Sequence, residues 1–170
     1  MKRIITAALL AAVSLTSCRE GTVHDKAYLR AAAIDGGRMT LSFFPDTEPV
    51  EVSADTPAGA LSAAELCLGR EIFTGFTELV ILGDCPPADT LSELFTQWEL
   101  PPSCIAAAGR GNILLEVPPE QLSGSVRQAQ AQGMLPECDI VTVLSALLSD
   151  KKTAQAPELD TGGVSGVVQF

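Results

Sequence analysis

The sequence predicts an α/β domain, built as a mixed sheet with an amino-terminal hairpin and about four packed helices. Three observations carry that expectation. Strand-like and helix-like segments interleave after Thr56, the pattern of an α/β chain. Leu79-Val80-Ile81-Leu82 is apolar at every position and ends in Gly83-Asp84, as a strand covered on both faces does. Asp35-Gly36-Gly37 lies between two strand-like segments and suits a hairpin turn.

The elements follow in chain order. Residues 28–34 read as a short first strand. In Arg38–Phe44, Met39, Leu41 and Phe43 alternate with Arg38, Thr40 and Ser42, the period of a half-buried strand, and Pro45 closes it. Thr56 then stands as an N-cap with Pro57 at the first helical position. Leu61, Ala64 and Leu68 recur at helical spacing to about Gly69. Thr90-Leu91-Ser92-Glu93 has the form of a capping box, ahead of an apolar stripe of Leu91, Leu94, Phe95 and Trp98. Residues 105–108 form another short buried strand, followed by Gly109-Arg110-Gly111. Pro118-Pro119-Glu120 opens a third helix carrying Leu122, Val126 and Ala129, with Gly133 near its end. Ile140, Val143, Leu144 and Leu147 mark a fourth. Residues 151–160 read as a polar loop and 163–170 as a terminal strand.

The chain of 170 residues, 46% hydrophobic, is long enough for one well-filled core and short for two. Aromatics make up only 5%, so that core rests mainly on Ala, Leu, Ile and Val. Met1-Lys2-Arg3 precedes an apolar run from Ile4 to Val13, and Ser14-Leu15-Thr16-Ser17 brings small residues up to Cys18. A positive start, an apolar stretch too short to span a bilayer, then small residues is the layout of a secretory signal. Leu15-Thr16-Ser17-Cys18 resembles a bacterial lipobox. That resemblance implies cleavage before Cys18, diacylglycerol on its thiol and acylation of the new amino group. The expected organisation is a signal peptide over 1–17, a polar tether over 18–26 and a single domain over 27–170. Removing Lys2 and Arg3 leaves nine basic against 21 acidic side chains, a net charge of −12. Such a surface repels phosphate backbones, which argues against nucleic acid as a partner.

Catalytic chemistry finds little footing. The only histidine, His24, sits in the tether, and no second histidine and no C-x-x-C pair is present for zinc. The glycine-rich turns at 109–111 and 162–166 fit neither a phosphate loop nor a dinucleotide fingerprint. The sequence therefore points to no catalytic residue, no metal site and no cofactor. If Cys18 is lipidated, Cys67, Cys85, Cys104 and Cys138 remain, enough for two disulfides in three connectivities or for free thiols. Cys85 and Cys104 bracket the second helix, in a position to meet at neighbouring strand ends.

The motifs LTSC, AYLRAAAIDGGRMTLSFF, SAAELCLGREIFTGFTELVILGD, DIVTVLSALLSDKKTAQAP and GGVSGVVQF resemble, in this order, the amino-terminal domain of the spore germination lipoproteins, the Ger(x)C family. Arg19-Glu20-Gly21 stands where that family usually carries Trp-Asp. The family has a second, larger carboxy-terminal domain, and the likeness here covers the first. The resemblance implies a membrane-tethered, extracytoplasmic, non-enzymatic C subunit of a germinant receptor, partnered by integral-membrane A and B subunits. A different reading is an envelope lipoprotein that captures a small ligand at the strand ends near Asp35, Asp84 and Gly109-Arg110-Gly111.

Overall fold

A computed structural model describes residues 25–45 and 47–170. The first strand, β1 (Ala27–Asp35), turns through Gly36 and Gly37 into β2 (Arg38–Phe44), and the pair runs antiparallel from Tyr28↔Phe44 to Asp35↔Arg38. Both turn glycines have positive φ, 54° and 84°, the backbone a tight hairpin of this hand requires. A third strand, β3 (Thr47–Ser53), then adds antiparallel to the outer edge of β2. The helix α1 (Pro57–Leu68) leads through a two-residue strand, β4 (Ile72–Phe73), to β5 (Leu79–Leu82). The chain continues as α2 (Pro87–Gln97), β6 (Ile105–Gly109), the single turn α3 (Ile113–Glu116), α4 (Pro119–Ala131) and α5 (Ile140–Leu148). It closes with the hairpin β7 (Gln155–Asp160) and β8 (Gly163–Gln169).

The sheet order is β3-β2-β1-β5-β6-β7-β8, with β4 beside the start of β1. Strands β1, β5, β6 and β7 are parallel, and an antiparallel hairpin closes each flank. Helices α1, α2 and α5 pack on one another as a layer, while α3 lies on β1 and β2, and α4 on β8. Cover on both faces explains why every residue of β5 is buried. The core is aliphatic as the composition requires, with Leu29, Leu41, Leu79, Ile81, Leu91, Leu94 and Ile140 fully enclosed and Trp98 1% exposed.

The mixed α/β architecture, the leading hairpin and the four main helices match expectation. At the start of α1 the Thr56 side chain accepts from the Gly59 N–H at 3.1 Å, with Pro57 opening the helix and Gly69 ending it at φ 68°. Other details differ for identifiable reasons. The segment expected as a polar loop at 151–160 holds β7. Pro157 argues against an interior strand, but pairing with β6 begins at Glu158, one residue past it. The capping box is overturned: α2 starts at Pro87, and the Thr90 N–H already donates to the Pro86 carbonyl at 3.0 Å inside the helix. Along α1 the buried stripe is Ala60 and Ala64, with Leu61 and Leu68 at its margin, because a small-residue face lets the helix lie close to its neighbours.

Candidate functional site

Cys18, the residue on which the sequence reading places a lipid, lies outside the described residues, as does His24. The strand-end positions are described, and the fold brings them together. Asp35 ends β1, Asp84 follows β5, and Gly109-Arg110-Gly111 follows β6, all at the carboxyl edge of the parallel strands.

The Asp35 carboxylate ties this edge together. Its Oδ1 accepts from the Asp84 N–H at 3.0 Å and its Oδ2 from the Gly111 N–H at 3.3 Å. Gly83 and Gly111 lie flat against the carboxylate, and a Cβ on either would overlap the Asp35 side chain. The Gly111 carbonyl accepts from Thr40 Oγ1 at 2.8 Å, fastening the same loop to β2. Both oxygens of Asp35 are thus spent on backbone donors, and the residue acts as a staple across three strands rather than as a group aimed at solvent.

Beside the staple is an open cavity of about 460 Å³ between the ends of β5, β6 and β7, reached by Arg110, Glu158, Asp160 and Ser165. Arg110 pairs with Glu116 at 3.7 Å across an exposed surface. In open α/β sheets a ligand crevice forms where successive crossovers run in opposite directions. Here β2 and β3 lie on one side of β1 and β5, β6 and β7 on the other, so the direction reverses between β1 and β5, where the Asp35 carboxylate takes up the Asp84 and Gly111 amides. Among the described residues, no group of three His, Cys, Asp or Glu side chains is placed to hold a metal ion.

The four described cysteines are free thiols. The expected meeting of Cys85 and Cys104 is excluded by topology: one follows the carboxyl end of β5, the other precedes the amino end of β6, and the two strands are parallel. Cys104 and Cys138 are buried, and Cys67 is exposed. Burial raises the Cys104 thiol pKa well above its ordinary value, with nearby Glu78 adding to it. Burial also pushes Cys138 up to about 11, helped by the neighbouring Asp139 charge. Cys85 is raised too, by burial first and by Asp35 and Asp84 beyond what the Thr90 hydrogen bond offsets. A raised pKa keeps a thiol protonated and unreactive, so none of these three is an activated nucleophile.

Two features at the opposite edge were not singled out in the sequence. Arg30 pairs with Glu120 at 3.0 Å and lies over the Phe44 ring at 4.3 Å, while Glu78 takes Arg127 at 3.4 Å and Ser123 Oγ at 3.3 Å. Next to them Tyr28, Phe73 and Phe76 form an aromatic cluster with centroids 5.3 to 5.8 Å apart. A shallow cavity of about 540 Å³ opens between Tyr28, Phe44, Phe76, Pro101 and Arg127. The only sequence signal was a set of apolar residues outside any helical or strand period, in the segment 73–76. Compared with protein-family models, with curated proteins and with solved structures, the chain matches none.

Proposed function

We propose that this chain is a lipid-anchored, non-enzymatic subunit on the extracytoplasmic face of a bacterial cell or spore inner membrane, related to the C subunits of spore germinant receptors. The observation that carries the anchor is Leu15-Thr16-Ser17-Cys18, placed directly after a charged start and an apolar run and nine residues ahead of Ala27. A thioether-linked diacylglycerol with a further acyl chain, such as palmitate, contributes about 0.8 kcal/mol per buried methylene, enough for stable tethering where a single chain is marginal. Tethering confines the domain to a thin layer and raises its effective concentration toward integral-membrane receptor subunits.

Support for the germination reading is the order of the quoted motifs. Ile34-Asp35-Gly36 falls at the end of β1, Arg70-Glu71 just past α1, and Leu79-Val80-Ile81-Leu82 in β5.

Two measurements test this reading. Mass spectrometry of the protein recovered from membranes is expected to find an amino-terminal Cys18 carrying diacylglycerol, and the Cys18→Ala chain is expected in the soluble fraction. An acyl-free mature terminus in the unsubstituted protein overturns the anchor. Crosslinking in dormant spores is expected to trap integral-membrane receptor subunits. A normal germination response in spores lacking the chain, without any such crosslink, overturns the receptor role.

A further inference from the structure

The parallel strands give the domain two unlike ends. The amino ends of β1, β5, β6 and β7 all lie together, so the connections 69–78 and 98–104 gather at the end where the chain enters β1. The connection 132–139 between α4 and α5 ends there too, the Ala106 N–H donating to the Cys138 carbonyl at 2.8 Å and the Ile140 N–H to the Cys104 carbonyl at 2.7 Å. This is the opposite edge from the Asp35 staple. It is also where exposed apolar side chains concentrate. Phe76 is 59% and Phe73 39% exposed in the first connection, Met134 62% in the third, and Leu66 85% in the last turn of α1. These are four of the eight large hydrophobic side chains left exposed among the described residues. Scattered apolar residues need no explanation, but a cluster of rings packed edge to face at one end does.

We propose that this end is seated in the interfacial zone of a phospholipid bilayer, with Phe73 and Phe76 among the headgroups and upper acyl chains and Tyr28 at the water side. The inference rests on the lipid anchor at Cys18. Length argues for lipid as the occupant: the nine residues from Cys18 to Lys26 reach at most about 30 Å. The aromatic end is the part of the domain joined to that tether. Charge argues the same way. Lys26 pairs with Glu71 at 3.0 Å, Arg30 with Glu120, and Arg127 with Glu78, so these three cations beside the rings are each held in a pair. Paired charge around exposed rings suits a zwitterionic interface, where aromatic side chains concentrate at headgroup level.

The test uses the chain over 18–170 with an amino-terminal polyhistidine tag, held on nickel-chelating lipid in phosphatidylcholine vesicles. The acyl chains are brominated in one vesicle set and unbrominated in the other. The tag supplies the tether whatever happens at Cys18 in cells. Trp98 is the only native tryptophan and is buried, so it serves as the unquenched internal standard. In the Phe76→Trp chain, and separately in Phe73→Trp, bromine is expected to lower the emission of the new tryptophan about twofold, the response of an indole at interfacial depth. Adding Leu66→Ser and Met134→Ser is expected to reduce that quenching. Emission unchanged by bromine in both tryptophan chains, each with native circular dichroism, overturns the proposal. Acylated Cys18 in cells with no quenching in vesicles sinks this inference alone, whereas quenching with unacylated Cys18 sinks the anchor.

Discussion

At the scale of single residues, two glycines separate what the backbone tolerates from what the staple demands. Gly111 presses on the Asp35 side chain, so a Cβ there forces the loop off the carboxylate and loosens the hydrogen bond from its own N–H. Gly124 lies exposed inside α4 with nothing within 4 Å of an added Cβ. Gly111→Ala is expected to destabilise by about 2 kcal/mol, the range for overpacking together with a weakened, partly buried hydrogen bond. Gly124→Ala is expected to stabilise by about 0.5–1 kcal/mol through helix propensity. Urea denaturation of both variants checks the pair, and a Gly111→Ala chain as stable as the parent would show that Asp35 does not hold the strand ends. The thiols supply a second residue-scale expectation. A thiol reagent at mildly alkaline pH should label Cys67 first, Cys85 more slowly, and Cys104 and Cys138 only on unfolding. Mass spectrometry of partly labelled protein reads the order directly, and early loss of Cys104 or Cys138 would contradict their burial.

At the scale of elements, helix starts show which local signals decide structure. Thr56-Pro57 and Asp139 are both true caps: the Asp139 carboxylate accepts from the Thr142 N–H at 3.0 Å at the start of α5. Thr90-x-x-Glu93 has an equally good local form but lies inside α2, because the preceding prolines Pro86 and Pro87 start the helix earlier. Capping chemistry was readable at Thr56, where no rival start stands upstream, and misread at Thr90, where one does. Asp139 also carries a pH signature. Partial burial opposes its ionisation, but hydrogen bonds from Thr142 and the neighbouring backbone outweigh it and hold the carboxyl below its ordinary value. A depressed folded-state value means the stabilisation is complete above the unfolded value and is lost as pH falls through the folded one. Asp139→Ala is therefore expected to cost about 1 kcal/mol near neutral pH. That difference should shrink toward zero once the pH drops below the usual aspartate range. Urea midpoints of both chains at pH 7 and in acid measure it, and a cost that stays constant with pH would remove the cap.

At the scale of the whole molecule, period and composition revealed the strands that are buried or alternate cleanly, and hid those defined by a neighbour. Strand β5 is apolar throughout, and β2 alternates in sequence, but the half-buried face expected of it is overturned: Thr40 and Ser42 are buried as well, because α3 covers that strand and the Gly111 loop takes the Thr40 hydroxyl. By contrast β3 (with Glu48, Pro49 and Glu51), the two-residue β4, and β7 with Pro157 exist because an adjacent strand offers an edge. The same limit applied to the sites. The strand-end cluster could be guessed from Asp35, Asp84 and Gly109-Arg110-Gly111, but not that Asp35 turns inward to backbone amides. The aromatic end depends on Tyr28, Phe73 and Phe76 being brought together, which no local period records. Charge is the whole-molecule property that was fully countable, and it carries a consequence for stability. From Cys18 onward 21 acidic side chains face nine basic ones, and Lys26, Arg30, Arg110 and Arg127 are engaged in ion pairs. Those pairs are mostly exposed and contribute about 0–1 kcal/mol each, so the unpaired acidic excess dominates the long-range field. Salt screens that field, since the Debye length falls from about 30 Å at 0.01 M to about 10 Å at 0.1 M. Self-repulsion acts most strongly on the compact state. The urea midpoint of the chain over 18–170 is therefore expected to rise as sodium chloride goes from 0.01 to about 0.15 M, the span over which that screening develops. A fall over the same range would mean that the ion pairs, not the acidic excess, govern how charge bears on the fold.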